Sequence, residues 1–506
     1  MRRQFPDLVH SENRRIALPW LRAFVALIIS CLCYAVAAPT QKEFLDRVNQ
    51  LEAAGQFREA AAVLTHALAS QSNVSPDRKQ LEFELDRLER IRKDYALTDD
   101  QLFSELKKSL KDISPEEFHA WIGQGRFDTR AIDGEQRFMA ASVSNLFFRY
   151  PELYARRIPP KNSAAVERLH WETCQAIKQA ALANHRPYVL PKRFDVTMTV
   201  TADQNAAPEG QIIRAWLPIP REYPFQSGFR MLASEPVAMH TDESQSPIRS
   251  VYFEQPARKN RPTKFNIQYE YVASGIWFNV QPQDVRSFDR GNGALGVFVK
   301  EAPHVVFTPE IRALSQQIAG DETNPYLKAK RFYDWISDNI KYSFATEYST
   351  VRNLSEYCRS HGYGDCGQEA LLFITLCRLN GIPARWQSGW NTFPGAKSIH
   401  DWSEIYMPPY GWIPVDPYMG IYAMRYATSL KPEQRRDLRD FYFGGLDQYR
   451  IAANSDHNQS LNPPKQSMRS DTVDFQRGEL EWGSHNIYFD TFSYELIAKE
   501  IFSAAE

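Results

Sequence analysis

Cys366 is the residue of this 506-residue chain whose type and setting point most directly to chemistry. It lies in the segment GYGDCGQEALLFITLCRLNGIPARW, where a glycine-containing turn leads into an apolar helical pattern. A thiol at the start of a helix is exposed to the positive end of the helix dipole, which lowers the pKa of the thiol. The sequence therefore predicts an activated nucleophile at Cys366.

Two side chains farther along the chain have the types that would complete such a site. His400 and Asp416 lie at the edges of two predicted strands, DWSEIYM and GWIPV, which are separated by Pro408-Pro409-Tyr410. A hairpin that turns near residue 408 brings them roughly opposite each other. An imidazole activates a thiol, and a carboxylate orients the imidazole. Taken alone, His400 is a surface histidine and Asp416 a turn residue, so the hypothesis depends on the three residues together.

The helix after Cys366 must hold the thiol in place. Apolar residues lie on nearly every side of it between 370 and 379, the pattern of a helix buried in a core. Asn380-Gly381 ends the helix, and Pro383 prevents its continuation. A rigid, buried helix that presents its first side chain at its mouth is a good setting for a nucleophile.

Residues 1–38 have the pattern of an export signal. Arg14, Arg15 and Arg22 precede an apolar run from 23 to 38, which ends in small residues that fit a cleavage site. The run is shorter than the roughly 20 residues of a membrane span. We therefore predict a cleaved signal peptide, with a retained anchor or lipid attachment at Cys31 as alternatives. The rest of the chain is expected to be extracytoplasmic, either periplasmic or secreted.

Composition argues against several classes of function. The net charge of −1 gives no general basic surface for nucleic acid. Six cysteines are too few for a disulfide framework in so long a chain. Cys174 and Cys358 are expected to be free thiols, with a bridge between them as the alternative. No calcium-loop pattern is present, so neither a metal nor another cofactor is predicted.

The chain beyond the targeting segment divides by pattern into four parts. Residues 39–185 are helical in pattern and contain one tetratricopeptide-like helix pair; they predict an accessory bundle, or alternatively a partner-binding surface. After a proline-containing linker at 185–193, residues 191–300 alternate between apolar and polar, as in an antiparallel β-sandwich. Residues 301–455 mix helices and strands, and 456–506 form a C-terminal extension with short strands. The predicted fold class is α+β.

The segment from Gly364 to Pro417 resembles the transglutaminase-like family, which shares its Cys–His–Asp arrangement with papain-type peptidases. GDCGQEALLFITLCRLNGIPARWQSGW resembles the family's nucleophile helix and following strand, and HDWSEIYMPPYGWIPVDP resembles its histidine and aspartate strands. The resemblance implies that Cys366 is the nucleophile, His400 the general base and acid, and Asp416 the orienting group. It covers roughly 301–455 and implies a papain-like core. The sandwich before it also resembles domains found beside such cores.

Some positions near the triad depart from the family's pattern or are left open by it. Asp401 follows His400 where a small or apolar residue is commoner, and we expect it to raise the pKa of the histidine. In animal transglutaminases an upstream tryptophan helps to hold the oxyanion. Trp335 is a poor candidate for that role and Tyr342 a weak one, so the backbone N–H of Cys366 is the preferred donor.

Two further patterns near Cys366, a glycine motif and a group of tryptophans, are explained by structure more readily than by ligand binding. The match of residues 362–367 to G-x-G-x-x-G lacks the preceding strand of a βαβ unit, so it does not predict dinucleotide binding. Four tryptophans lie near the site in sequence, and most are expected in the core. One or two of them are expected to line the substrate groove. They are Trp386, Trp390, Trp402 and Trp412.

These observations together predict an exported cysteine enzyme that cleaves or transfers amide acyl groups through a thioester on Cys366. Resolution by water gives a peptidase or amidase, and resolution by an amine gives cross-linking. Hydrolysis is favoured, because of the export signal and the absence of other transglutaminase domains. The substrate is expected to be a peptide or protein, with cell-envelope peptides among the options. The alternative is a non-catalytic binding or scaffold protein that retains the fold.

Overall fold

The structure is a computed structural model that describes residues 41–69, 76–159, 163–289 and 293–501. The targeting segment predicted at 1–38, with Cys31 and Cys33, lies outside these residues. Within the four ranges, no helix is both long enough and apolar enough to span a membrane. The described chain forms a helical region, a two-sheet sandwich and a mixed core domain, which confirms the predicted α+β class.

The helical region is built from amphipathic helices, each of which buries one apolar face. Its helices are α1 (Gln41–Ala53), α2 (Phe57–Ala69), α3 (Pro76–Asp94), α4 (Asp99–Ser109), α5 (Pro115–Gly123), α6 (Ser142–Arg149) and α7 (Ala164–Asn184), with a 3₁₀ turn at Pro151–Arg156. Helices α1 and α2 occupy the predicted helix pair. Gly55 between them has a φ of +75°, and a Cβ there would lie 2.8 Å from the carbonyl oxygen of Ala131.

A β-hairpin interrupts this region, where the sequence analysis expected helices only. Its strands are β1 (Thr129–Ile132) and β2 (Glu135–Phe138), which pair antiparallel with Ile132 opposite Glu135. The two-residue turn is Asp133-Gly134, and both residues have positive φ. An Asp-Gly pair is a strong hairpin signal, so the local turn chemistry overrides the helical pattern of the flanking segments.

The sandwich consists of two antiparallel sheets that enclose an apolar core. Its strands are β3 (Tyr188–Ala202), β4 (Ile212–Pro218), β5 (Gln226–Glu235), β6 (His240–Thr241), β7 (Ser250–Pro256) and β8 (Thr263–Trp277), joined by β14 (Gly445–Leu446), β16 (Glu479–Trp482), β17 (His485–Ile487) and β18 (Phe492–Ile501). One sheet has the order β14-β8-β3-β18, with β5 also paired to β8, and the other β17-β16-β4-β7-β6. Val196, Met198 and Val200 on β3 are all fully buried, as the alternating pattern predicts.

Two boundaries differ from the sequence interpretation. The linker expected at 185–193 is largely strand, because β3 begins at Tyr188 and Val189 is buried against β8. The extension expected at 456–506 supplies β16, β17 and β18 to the sandwich, and β18 runs alongside β3 from Phe492 opposite Ala202 to Ile501 opposite Arg193. The sandwich is therefore assembled from stretches of chain on both sides of the core domain, together with the short strand β14 from within it.

The core domain places one buried helix against a four-stranded sheet. Its elements are α8 (Pro309–Ala319), α9 (Pro325–Asn339), β9 (Lys341–Tyr342), α10 (Leu354–His361), β10 (Tyr363–Gly364), α11 (Cys366–Leu379), β11 (Ala384–Asn391), β12 (Ser398–Met407), β13 (Gly411–Val415), α12 (Pro417–Ile421), α13 (Pro432–Phe441) and β15 (Arg450–Asn454). The antiparallel sheet has the order β13-β12-β11-β15. Almost every residue of α11 is buried, as its all-round apolar pattern predicts.

Candidate active site

Cys366 is the first residue of α11, where a tight cap fixes the start of the helix. The Asp365 carboxylate accepts the backbone N–H of Gln368 at 3.1 Å, and the Gln368 side chain accepts the backbone N–H of Asp365 at 3.3 Å. This reciprocal pair satisfies amides that the first helical turn leaves free. Because the rest of α11 is packed in the core, the position of the Cys366 thiol is set by the fold and not by a mobile loop.

His400 and Asp416 are brought together by the β12–β13 hairpin. Ser403 lies opposite Val415 in the ladder, so Asp416 directly follows the end of β13. The Nε2 atom of His400 lies 2.8 Å from Oδ2 of Asp416, and both side chains are buried. The other carboxylate oxygen of Asp416 accepts the backbone N–H of Met419 at 3.1 Å, at the start of α12. These contacts hold the carboxylate in a single orientation behind the imidazole.

Arg450 and Asp447 continue the chain of charged groups behind Asp416, and neither was predicted from the sequence. Nη1 of Arg450 lies 3.1 Å from Oδ2 of Asp416, and Nε of Arg450 lies 3.2 Å from Oδ2 of Asp447. The Tyr442 hydroxyl donates to the same Asp447 oxygen at 2.9 Å. A charged residue at the start of the apolar strand RIAAN is the only signal that the sequence offers for Arg450. Its partner is 34 positions earlier, and sequence spacing does not reveal such a pairing.

Burial favours a neutral imidazole at His400, whereas the groups around Asp416 favour an ionised carboxyl. Burial, opposed by Asp416, lowers the pKa of His400 below its ordinary value. Burial also disfavours the charged form of Asp416, but His400 and Arg450 outweigh it and hold the pKa of this carboxyl below its usual range. The structure therefore presents a neutral imidazole whose Nε2 faces a carboxylate, which leaves Nδ1 as the nitrogen free to accept a proton.

The surroundings of Cys366 contradict the expected low thiol pKa. Burial, followed by the nearby carboxylates of Asp401 and Asp365, raises the pKa of the Cys366 thiol well above its ordinary value. The helix-start position is real, but desolvation and negative neighbours oppose the effect of the helix dipole. Burial and these carboxylates favour the protonated thiol over the thiolate at Cys366.

Asp401 does not act on His400 as expected. The oxygen Oδ2 of Asp401 lies 3.5 Å from Sγ of Cys366. The pKa of His400 is lowered by burial, not raised. Neighbouring residues of a strand point to opposite faces, so His400 reaches back to Asp416 while Asp401 reaches toward α11. The expectation that Asp401 raises the histidine pKa is therefore wrong.

A cavity of about 530 Å³ opens in front of Cys366 and His400. Asp416 does not line it and lies behind His400. The aromatic wall of the cavity is made of tyrosines and phenylalanines. None of the four tryptophans near the site in sequence lines the cavity. Trp386 and Trp402 are fully buried in the core. The aromatic lining residues are Phe148, Tyr342, Phe344, Tyr348, Tyr418 and Tyr422.

The two side chains considered for the oxyanion are placed differently. Tyr342 lines the cavity, and β9 carries it beside β10, with Tyr342 opposite Gly364. Trp335 lies on α9 and packs against the apolar core instead. Of these two side chains, the structure therefore leaves only Tyr342 within the cavity wall, alongside Cys366 at the start of α11.

The helical region forms part of the same cavity. Phe148, Ser163 and Val166 line it from that side. The Asn145 side chain donates to the backbone oxygen of Phe344 at 3.1 Å and accepts the backbone N–H of Phe344 at 2.8 Å. This paired bond fixes the loop after β9 against α6. The helical region thus helps to shape the space in front of Cys366.

The remaining cysteines and acidic groups show no second centre in the described residues. Cys174, Cys358 and Cys377 are buried free thiols, so the alternative of a bridge between Cys174 and Cys358 is wrong. Across the four described ranges, no group of three or more His, Cys, Asp or Glu side chains is arranged to hold a metal ion.

Comparison with known proteins agrees with this part of the fold. Residues 312–417 match the family model of the transglutaminase-like superfamily. A curated relative, the uncharacterized protein YebA of Bacillus subtilis (strain 168), is 27% identical over 129 residues, which are 22% of this chain. The match covers 17% of the length of that relative.

Solved structures were also matched, each at low sequence identity. One, proposed to be a cysteine protease, is from Cytophaga hutchinsonii; it has 14% sequence identity and a TM-score of 0.40, and the match covers 63% of this chain and 94% of that one. Another is the periplasmic domain of TgpA from Pseudomonas aeruginosa, with 14% identity and a TM-score of 0.24, covering 53% of this chain and 96% of that one.

Proposed function

This chain carries a transglutaminase-like domain, and we propose that it is a cysteine enzyme that attacks amide bonds through a thioester on Cys366. In this proposal His400 is the general base and acid, and Asp416 orients it. Hydrolysis of a peptide or amide is favoured over cross-linking to an amine. The targeting pattern of residues 1–38 supports action outside the cytoplasm, and peptides of the cell envelope are the substrates that we expect there.

The observation that carries the proposal is the 2.8 Å contact between His400 Nε2 and Asp416 Oδ2, made at the wall of a cavity that Cys366 also lines. A buried carboxylate that fixes an imidazole at the wall of a cavity also lined by a thiol is an arrangement that acyl-transfer catalysis can use. Asp416, ion-paired with Arg450 and in contact with His400 Nε2, supports the catalytic interpretation because it fixes the imidazole with Nδ1 available to the cavity.

The charges described above define the order of proton transfers. The resting pair is a neutral thiol and a neutral imidazole, so His400 Nδ1 takes the thiol proton as Cys366 Sγ attacks the substrate carbonyl. The S–C bond forms, the C–N bond breaks, and the amine leaves with the proton from His400. Water, activated by His400, then attacks the thioester and releases the acid. An amine in place of that water would give a new amide.

The proposal is tested by trapping the acyl group. The purified chain is incubated with cell-envelope peptides, quenched in acid, and the peptide containing Cys366 is analysed by mass spectrometry. We expect an acyl adduct on Cys366 that is absent from Cys366→Ala and from His400→Ala. Cys358→Ala is the matched control, because Cys358 is buried and does not line the cavity, so the adduct should persist.

Two results would contradict this function. An adduct that survives in Cys366→Ala would place the chemistry elsewhere. Complete absence of an adduct, together with no alkylation of Cys366 by iodoacetamide near neutral pH, would favour the non-catalytic alternative. Carrying out turnover in ¹⁸O-labelled water, with and without a primary amine, separates hydrolysis from transfer. Hydrolysis incorporates the label into the released acid, and transfer places the amine in the product.

A further inference from the structure

The Cys366 sulfur makes a hydrogen-bonding contact with the carboxyl group of Asp401. Its Oδ2 lies 3.5 Å from Sγ, and the residue is 2% exposed. The contact is built into the fold at Gly367, the next residue of α11. A Cβ at Gly367 would collide with the Tyr348 hydroxyl and lie 2.9 Å from Asp401 Oδ2. The start of α11 therefore has no side chain where these two groups approach the nucleophile.

The Cys366 thiol donates to Oδ2 of Asp401 in the resting structure, and this oxygen loses its hydrogen-bond donor when the thiol proton is removed. The Tyr348 hydroxyl lies 2.8 Å from Oδ1 of Asp365 and 3.4 Å from Oδ2 of Asp401. A phenol has one hydrogen, and the shorter distance assigns it to Asp365. The Gln476 amide donates to the other Asp401 oxygen, Oδ1, at 2.6 Å. Once Cys366 has lost its S–H proton, only a proton on Oδ2 can place a hydrogen between this oxygen and the sulfur.

The charge balance also favours a protonated Asp401. The charged and titratable groups that face it from α11, from the loop after β9 and from the segment before β16 are Asp365, Cys366, Tyr348, Asp471, Asp474 and Arg477. The one cation in this set, Arg477, pairs with Glu347 at 3.1 Å. Burial, followed by Asp365, raises the pKa of Asp401 well above its ordinary value. Like charges in a desolvated site cannot all ionise.

We propose that Asp401 is a further catalytic residue, a carboxylic acid whose Oδ2–H donates a hydrogen bond to the Cys366 sulfur as His400 removes the thiol proton. The inference rests on the proposed function and adds a group to it. The proton of Asp401 is not transferred: His400 Nδ1 receives the S–H proton, the developing thiolate accepts the Oδ2–H bond, and that bond is released as the S–C bond forms. A neutral acid stabilises the thiolate here, where an ionised carboxylate would repel it.

The test measures the thiol directly, so it does not need the natural substrate. Full-length protein is alkylated with iodoacetamide between pH 6 and 8, and the rate at Cys366 is followed by mass spectrometry of its peptide. We expect Asp401→Ala to react roughly tenfold to a hundredfold more slowly than the wild type, the range of a hydrogen bond to a charged group. Asp401→Asn keeps a neutral donor and should remain within about threefold of the wild type.

Asp195→Asn serves as the control, because this carboxylate binds Gln268 on the sandwich, far from the cavity. It should not change the alkylation rate. If Asp401→Ala and Asp401→Asn both react faster than the wild type, Asp401 is ionised and repels the thiolate, and the proposal is wrong. If both react at the wild-type rate, or if Asp401→Asn is as slow as Asp401→Ala, the donor role is also refuted.

A spectroscopic measurement keeps the proposal testable if Asp401→Ala does not fold. The infrared difference spectrum between wild type and Asp401→Asn at neutral pH should contain the carbonyl band of a protonated carboxyl group. Its absence would overturn the proposal. These readouts are separate from turnover: a chain that cleaves no peptide but passes both tests would refute the proposed function and leave the Asp401 assignment intact.

Discussion

The two sides of the proposed Cys366–His400 pair hold buried carboxyl groups in opposite protonation states. Behind His400, Asp416 shares Arg450 with Asp447, and the pKa of each carboxyl is held below its usual range because these charges outweigh the cost of burial. Around Cys366, burial raises the pKa of Asp365 to about 6 and that of Asp401 well above its ordinary value. Both sides belong to the same core, so burial alone does not decide the protonation state.

Whether a buried carboxyl is ionised or protonated here depends on whether a cation is paired with it. Arg450 is fully surrounded by protein and lies between two carboxylates and the rings of Trp402 and Tyr442. On the other side, Arg477 pairs with Glu347 and makes no ion pair to Asp401. One site thus offers an ionised group to orient an imidazole, and on the other side burial and like charges favour the neutral form of Asp401 near the thiol.

Removing the charge on the ion-paired side should have the largest effect. Asp416→Asn presents an amide to His400 Nε2, which forces the ring proton to Nδ1 and removes the base that Cys366 needs. We expect acylation of Cys366 by p-nitrophenyl acetate, followed as the burst of p-nitrophenol, to slow by about 10³–10⁴-fold. Asp440→Asn, at an exposed carboxylate that pairs with Arg439, should react as the wild type does. A loss of less than about tenfold would show that Asp416 does not set the tautomer.

Removing Arg450 should leave the carboxyl groups behind His400 without a paired cation, like Asp401 on the Cys366 side. Arg450→Met leaves Asp416 and Asp447 buried without their partner, which should lower the free energy of unfolding by about 3–5 kcal/mol in urea denaturation. The matched control is Arg439→Met, because Arg439 pairs at 3.0 Å with an Asp440 that is half exposed. That change should cost less than about 1 kcal/mol. Equal losses in the two variants would contradict the role given to Arg450.

The smallest effect is expected on the carboxylate-rich side, as a pH dependence. Asp365 titrates near pH 6 when folded and near 3.9 when unfolded, so the folded state binds more protons between these values. Its contribution to stability is complete below about pH 4 and is lost as the pH rises to about 6. Asp365→Asn keeps a good N-cap and removes the titration.

The measurement for Asp365 is the difference in unfolding free energy between the variant and the wild type. From pH 4.5 to pH 7.5, we expect this difference to change in favour of Asp365→Asn by about 1–2 kcal/mol, after allowance for partial exposure. A difference that does not depend on pH would show that Asp365 is ionised across this range, like Asp416.

The sequence predicted the local settings of the site more reliably than their electrostatics. The apolar pattern of α11 and its glycine and asparagine stop fixed Cys366 at a helix start, and the hairpin after residue 407 brought His400 to Asp416. The expectation of a low Cys366 pKa failed, because it considered the helix alone and not the carboxylates that β12 delivers. The expectation of tryptophans in the groove failed, because Trp386, Trp390 and Trp402 fill the core and Trp412 packs against Arg385 outside the cavity lining.

Residue types and spacing were enough to predict helix α11, the β12–β13 hairpin and the alternating strands of the sandwich. Each of these elements follows from contacts between near neighbours in the chain. Only the tertiary structure decided that Arg450 meets Asp416, that Asp401 touches the sulfur, and that the C-terminal strands close the sandwich. These contacts join distant segments, and both their existence and their charge state depend on burial, which exists only once the chain has folded.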